Sequence, residues 1–207
     1  MPSSAGDLSL IGGVLALDFA NSASGRGTAS AQEHIHSLDD LVAWGTHAGC
    51  LGPATATRSA LATAANPLAT ELLRRALRLR EAIFAIGSAI AHGREPATND
   101  LDIARLAVRD AMASGALKPR YGGYGLDFGD APPAAAVIGP VALSALDMLE
   151  TADFTRIKQC PGMTPDNDCQ WLFLDVSKNN SRRWCDMATC GNRTKSHRHR
   201  ARKQGPA

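Results

Sequence analysis

Residues 160–193 read CPGMTPDNDCQWLFLDVSKNNSRRWCDMATCGNR and hold four of the five cysteines of a 207-residue chain. Cys160, Cys169, Cys185 and Cys190 follow the spacing C-x8-C-x15-C-x4-C. Two pairs of thiols on either side of a strand-and-turn stretch describe a small structural zinc site. The segment is too short and too polar to bury a core of its own. A Zn2+ ion on four thiolates supplies what is missing, about 10–16 kcal/mol of apparent free energy in small fingers. With every position filled by protein, no place remains for a catalytic water. Loss of the metal is expected to unfold this tail while the rest of the chain survives.

Working outward, Gln170 to Val176 is rich in aromatic and β-branched residues and predicts a strand. Trp171, Phe173 and Asp175 should face one way, with Leu172, Leu174 and Val176 facing the other. Ser177 to Ser181 is turn chemistry. Arg182-Arg183-Trp184-Cys185 is expected to return as the second strand, bringing Cys185 toward Cys169. Cys190 stands at the start of a predicted final helix, 191–202, in the manner of a treble-clef or ribbon-type zinc site. His197 and His199 are read as part of that solvated helix rather than as ligands. From Ser181 to Gln204, the residues Arg182, Arg183, Arg193, Lys195, Arg198, Arg200, Arg202 and Lys203 stand against Asp186 alone. The formal net charge of the whole chain is only +2, so the remainder is net acidic. A basic end on an acidic body points to an anionic partner, and nucleic acid fits best, DNA ahead of RNA. Trp171 and Trp184 are assigned to the small core of the finger rather than to base stacking.

Cys190-Gly191-Asn192-Arg193, with WLFLDVSKNNSRRWC at 171–185 and the Lys195 and Arg198 that follow, resembles the CGNR zinc-finger family over about 156–200. LALDFANS at 15–22, followed by a helix carrying Leu41 and Trp44, is similar to the ABATE domain that accompanies this finger in bacterial proteins. The resemblance implies a stress-linked transcription regulator: a helical N-terminal domain with a zinc- and nucleic-acid-binding end. One departure is the long Pro161–Asp168 loop, since a tighter first cysteine pair is expected of the family. That makes Cys160 the ligand most open to question.

The body reads as mostly helical. Residues 10–21 are taken as a strand with a polar end at Asp18 and Asn21, a pair that fastens a turn or orients a small ligand. Residues 22–33 are loop. Ser37 is a helix N-cap with Asp40 in the capping-box position, and Gly49 is the stop. Leu72, Ala76, Leu79, Ile83, Ile86 and Ile90 mark one face of a long helix from near Pro67 to Gly93. Thr98 caps another helix that closes at Gly115. Residues 118–131 are strand or turn, and a last helix follows Pro132-Pro133, running on toward Lys158. His34 and His36 are read as surface histidines, and Cys50 as a lone half-buried thiol. Tyr121 to Gly125 lacks the lysine and hydroxyl of a phosphate loop.

The start, Met1-Pro2-Ser3-Ser4, lacks a basic segment followed by an apolar run, and no stretch is expected to span a membrane. Both point to the reducing cytoplasm, where clustered thiols bind metal more often than they form disulfides. The fold class expected is therefore mainly α with a small β component. It comprises a helical domain at 1–150 and a four-cysteine zinc module with a basic helix at 151–207. The expected function is zinc-dependent nucleic-acid binding in transcription regulation, without catalysis. The body would serve as a dimerisation unit or as a sensor of a small-molecule inducer. The rival readings are a protein-docking adaptor and a small-molecule site at Asp18 and Asn21.

Overall fold

The computed structural model describes residues 4–52, 69–162 and 169–196. The apolar runs form five α-helices among these: α1 (Leu15–Ala20), α2 (Leu38–His47), α3 (Ala69–Ala91), α4 (Thr98–Ser114) and α5 (Pro133–Thr151). Three two-stranded antiparallel sheets join them. They are β1 (Ala23–Ser24) with β2 (Gln32–Glu33), β3 (Ala116–Arg120) with β4 (Gly123–Asp127), and β5 (Ile157–Gln159) with β6 (Leu172–Leu174).

The expected strand over 10–21 is instead α1. Ala16, Leu17, Phe19 and Ala20 have no solvent exposure, and in six residues the half-buried Asp18 alone is too little to mark a polar stripe. A short apolar run of this kind cannot be told from a strand by periodicity. Val14 offers no side-chain cap, but the Ala16 N–H donates to Ser144 Oγ at 3.1 Å, which satisfies one free donor of the first turn. Phe19 packs on Trp44 of α2 with ring centroids 4.9 Å apart.

Ser37 caps α2 as read, and the return bond from Asp40 falls one residue before the cap. Asp40 N–H donates to Ser37 Oγ at 3.0 Å, and Asp40 Oδ2 accepts from the His36 N–H at 2.9 Å. The stripe on α3 is buried from Ala76 to Ile90, with Leu72 half-buried, and Gly93 closes its end with φ of +65°. Pro67 lies outside the described residues. Thr98 opens α4 rather than capping it: Ala97 is the cap and makes no side-chain bond. α5 is long and apolar enough, by length and composition, to cross a membrane, which the sequence reading did not anticipate. Here it packs against α1, α2, α3 and α4, burying Ala136, Val137, Val141, Ala142, Ala145 and Met148 in the common core. It ends at Thr151 and does not run on to Lys158.

One charged residue sits within the stripe of α3. Arg80 is 4% exposed and forms a two-pronged pair with Glu33, both contacts at 2.6 Å. It also reaches Glu81 at 2.8 Å. Glu81 in turn pairs with Arg26 at 2.8 Å, and the Arg26 guanidinium lies 3.8 Å over the Phe84 ring. This network clamps the loop containing β1 and β2 to α3. His34, expected at the surface, is buried.

The strand over the cysteine region is real but shorter than expected, and its partner differs. β6 pairs with the upstream β5, in the register Ile157↔Leu174, Lys158↔Phe173 and Gln159↔Leu172. Residues 182–185 are not a strand. The alternation holds: Phe173 and Trp171 face the cysteines, while Leu172 and Leu174 face the helices. Leu172 and Ile157 belong to the core of the helical body. Gly87 of α3 makes room for this, because a Cβ there would lie 2.7 Å from Leu172 Cδ1. The free flank of β6 is sealed by side chain and backbone. Asn21 Nδ2 donates to Leu172 O and the Leu172 N–H donates to Asn21 Oδ1, both at 2.8 Å. The Leu174 N–H donates to Gly12 O at 2.7 Å.

Candidate metal centre and nucleic-acid interface

Four separate pieces of chain deliver the cysteines. Cys160 follows β5, Cys169 precedes β6, Cys185 ends the loop after β6, and Cys190 lies in a wide helical turn, Met187–Gly191. Asp186 caps that turn. Its carboxylate accepts from the Ala188 N–H at 3.1 Å and the Thr189 N–H at 3.0 Å. The helical stretch continues over 192–196, so Cys190 stands at a helix start as expected.

The cysteine sulfurs all lie within 4.8 Å of one another. Cys169 and Cys185 are 3.4 Å apart, Cys185 and Cys190 3.5 Å, and none is bonded to another. Zn–S bonds of about 2.3 Å in a tetrahedron give sulfur–sulfur edges of about 3.8 Å, so the cluster matches a structural zinc ion in donor type, number and size. Cys160, despite its long following loop, is 2% exposed and belongs to the cluster. Crowding sets the protonation of the thiols. Hydrogen bonds from Cys169 and the other two pull the Cys160 thiol down, while Cys160 as a neighbour pushes those of Cys169 and Cys185 up. Four thiolates this close need a cation among them.

A second layer holds the cluster in shape. Phe173, fully buried, packs on Cys160, Cys185 and Cys190, with Ile11, Trp171 and Trp184 around them. Both tryptophans thus serve the finger core, as expected. Asp175 has no solvent exposure. Burial would raise its carboxyl, but the Lys158 ammonium at 2.6 Å, with N–H donors from Ser177 and Arg182, holds it well below the usual carboxylate range. Lys158 also donates to the carbonyls of Asn180 and Arg182, so one ammonium shapes the whole loop from 175 to 182. The sequence reading missed Lys158 and Asp175. Their signal was an acid at the end of a strand otherwise apolar on that face.

The basic residues divide into two groups. Arg182, expected on the nucleic-acid surface, is built into the finger. Its guanidinium lies 4.3 Å over Phe173 and donates to the carbonyls of Trp184, Ile11 and Cys185. Arg183, Arg193 and Lys195 are exposed. Arg198, Arg200, Arg202 and Lys203, with His197 and His199, lie outside the described residues.

Asp18 and Asn21 are both engaged with backbone. Asn21 seals β6, as above. Asp18 Oδ1 accepts from the Gly12 N–H at 2.7 Å, fastening the Gly12-Gly13 turn ahead of α1. Burial outweighs that hydrogen bond and pushes the Asp18 carboxyl up to about 6. A pKa raised on folding gives stability that is complete below the unfolded value of about 3.9 and is lost as pH rises through about 6. Asp18→Asn keeps an acceptor and removes the charge. Its melting temperature should therefore rise relative to the parent between about pH 4 and 6.5, by the equivalent of about 2 kcal/mol after solvent screening. A constant gap across that range, in thermal melts with zinc present, would contradict the assignment.

A helical body carrying a four-cysteine finger on a short hairpin defines a zinc-finger protein. Residues 13–152 match the ABATE family, described as "Putative stress-induced transcription regulator", and residues 156–203 match the CGNR zinc finger. The first match covers more than half of the chain, so the protein belongs to the ABATE family and carries a CGNR zinc finger after that domain. The comparison with curated proteins finds no match.

Proposed function

We propose that this is a non-catalytic, cytoplasmic transcription regulator that binds nucleic acid, DNA in preference to RNA, through its zinc finger and the basic segment that follows. Zinc is held by the thiolates of Cys160, Cys169, Cys185 and Cys190. The observation that carries the reading is the position of Cys190. It lies inside the helical turn from which Arg193 and Lys195 emerge, exposed, within five residues. A ligand at that point makes the metal cluster the base on which cationic side chains are presented. Arg183, Arg193 and Lys195 are the described contacts, and Arg198, Arg200, Arg202 and Lys203 extend them along the chain. Arg182 is left out because its donors serve the finger. The ABATE body is read as the platform that holds the finger. A second copy and a small-molecule inducer form no part of this reading.

Phosphate contacts release counterions, so affinity should fall steeply with salt, by about 0.9 in the log–log slope for each phosphate neutralised on duplex DNA. Arg193→Ala with Lys195→Ala should flatten that slope by about 2 and leave one zinc per chain. The measurement is fluorescence anisotropy on random-sequence duplex and single-stranded RNA across a salt series. An unchanged slope in a zinc-loaded variant would overturn the proposal. Tight binding of the parent to RNA alone would reverse the DNA preference.

A further inference from the structure

The four cysteines are unequal in a way that a purely structural metal site does not require. Cys160 and Cys185 are 2% exposed and Cys190 is 4% exposed, whereas Cys169 is only half buried. A small oxidant therefore meets Cys169 first. The Cys185 sulfur lies 3.4 Å from that of Cys169. From this geometry we infer that Cys169 and Cys185 are a peroxide-reactive pair whose oxidation to a disulfide releases the metal. The inference rests on the zinc reading above.

The chemistry balances with hydrogen peroxide as the only co-reactant. The Cys169 thiolate attacks one peroxide oxygen, an S–O bond forms, the O–O bond breaks, and hydroxide leaves to take up a proton as water. The Cys185 thiolate then attacks the Cys169 sulfenic sulfur. An S–S bond forms, the S–O bond breaks, and a second hydroxide leaves as water after protonation. Two thiolates lose two electrons, and one peroxide is reduced to two waters. The sulfurs need to close from 3.4 Å to about 2.05 Å. The two remaining thiols do not make a four-sulfur site.

Position makes this more than damage. The Cys169 carbonyl accepts from the Gly25 N–H at 3.4 Å, and the adjacent Gln170 donates to the Arg26 carbonyl at 3.1 Å. Gln170 holds a left-handed backbone, φ 58°, which a non-glycine residue keeps only under constraint. Arg26 in turn belongs to the ion-pair network of the body. The reactive sulfur therefore stands where the finger is fastened to the ABATE domain. Cys50 lies outside the four-sulfur cluster.

The test uses the full-length, zinc-loaded chain carrying Cys50→Ser, titrated with hydrogen peroxide. Zinc release is followed with a chromogenic chelator, and disulfides are mapped by mass spectrometry after thiol blocking. The expected result is one zinc released for each Cys169–Cys185 disulfide formed, reversed by a dithiol reductant with added zinc. Zinc retained while an exposed-thiol peptide in the same solution is fully oxidised would overturn the inference. A disulfide between any other pair would also overturn it. Absence of zinc from the reduced, purified protein would remove the zinc reading and this inference together, and is seen before any peroxide is added.

Discussion

Cys185→Ser is expected to abolish stoichiometric zinc binding and to unfold the whole chain, not the finger alone. The free energy of a structural zinc in a small finger, about 10–16 kcal/mol, equals or exceeds the roughly 5–15 kcal/mol by which a domain is stable. The sequence suggested that the body would survive metal loss. The packing says otherwise, because Ile157 and Leu172 carry the β5–β6 hairpin into the core that α1, α3 and α5 share. Removing a buried leucine from a core costs about 2–5 kcal/mol by itself, and a melted hairpin withdraws both residues. Circular dichroism with zinc or with a chelator should show helical signal and tryptophan signal lost together. A chelated protein that keeps its full helical signal would show instead that the body stands alone.

Arg80→Met should destabilise the protein by about 1–3 kcal/mol, the cost of leaving the half-buried Glu33 carboxylate without its partner. Glu33 would then face the core edge with only the His34 and Ile35 N–H groups, each 2.9 Å from its Oε1. Adding Glu33→Gln should recover part of the loss, since the stranded charge is then gone. Urea titrations of the parent, the two single variants and the double variant form the cycle that isolates the pair. Additive effects would mean that the contact carries no coupling energy.

What could be read in advance followed from chemistry that is local in the chain. The Ser37–Asp40 box lies within four residues, the stripe of α3 within one helix, and the four cysteines within one 31-residue stretch. The long Pro161–Asp168 loop did not displace Cys160, because the thiols are placed by β5, β6 and the Asp186 turn rather than by loop length. The misreadings share a different cause. α1 is six residues long, four of them fully buried, which is too short a run to show a polar stripe. The turn residues after β6 point to a downstream strand partner, but Lys158 and Asp175 bind the downstream segment as a loop and β5 takes the pairing. Arg80 was invisible because its partner Glu33 is 47 residues away. Arg182 looked like one cation among eight, and only the ring of Phe173 and three carbonyls separate it from the rest.

The amide of Asn21 presents one donor and one acceptor side by side, the same couple that a peptide unit offers. β6 therefore has, along that margin, a surrogate strand made from a single carboxamide. Fibril growth or domain exchange through this margin would have to displace two buried hydrogen bonds before gaining any. An aspartate at position 21 would keep the acceptor, lose the donor and leave the Leu172 carbonyl exposed to recruitment by a second chain.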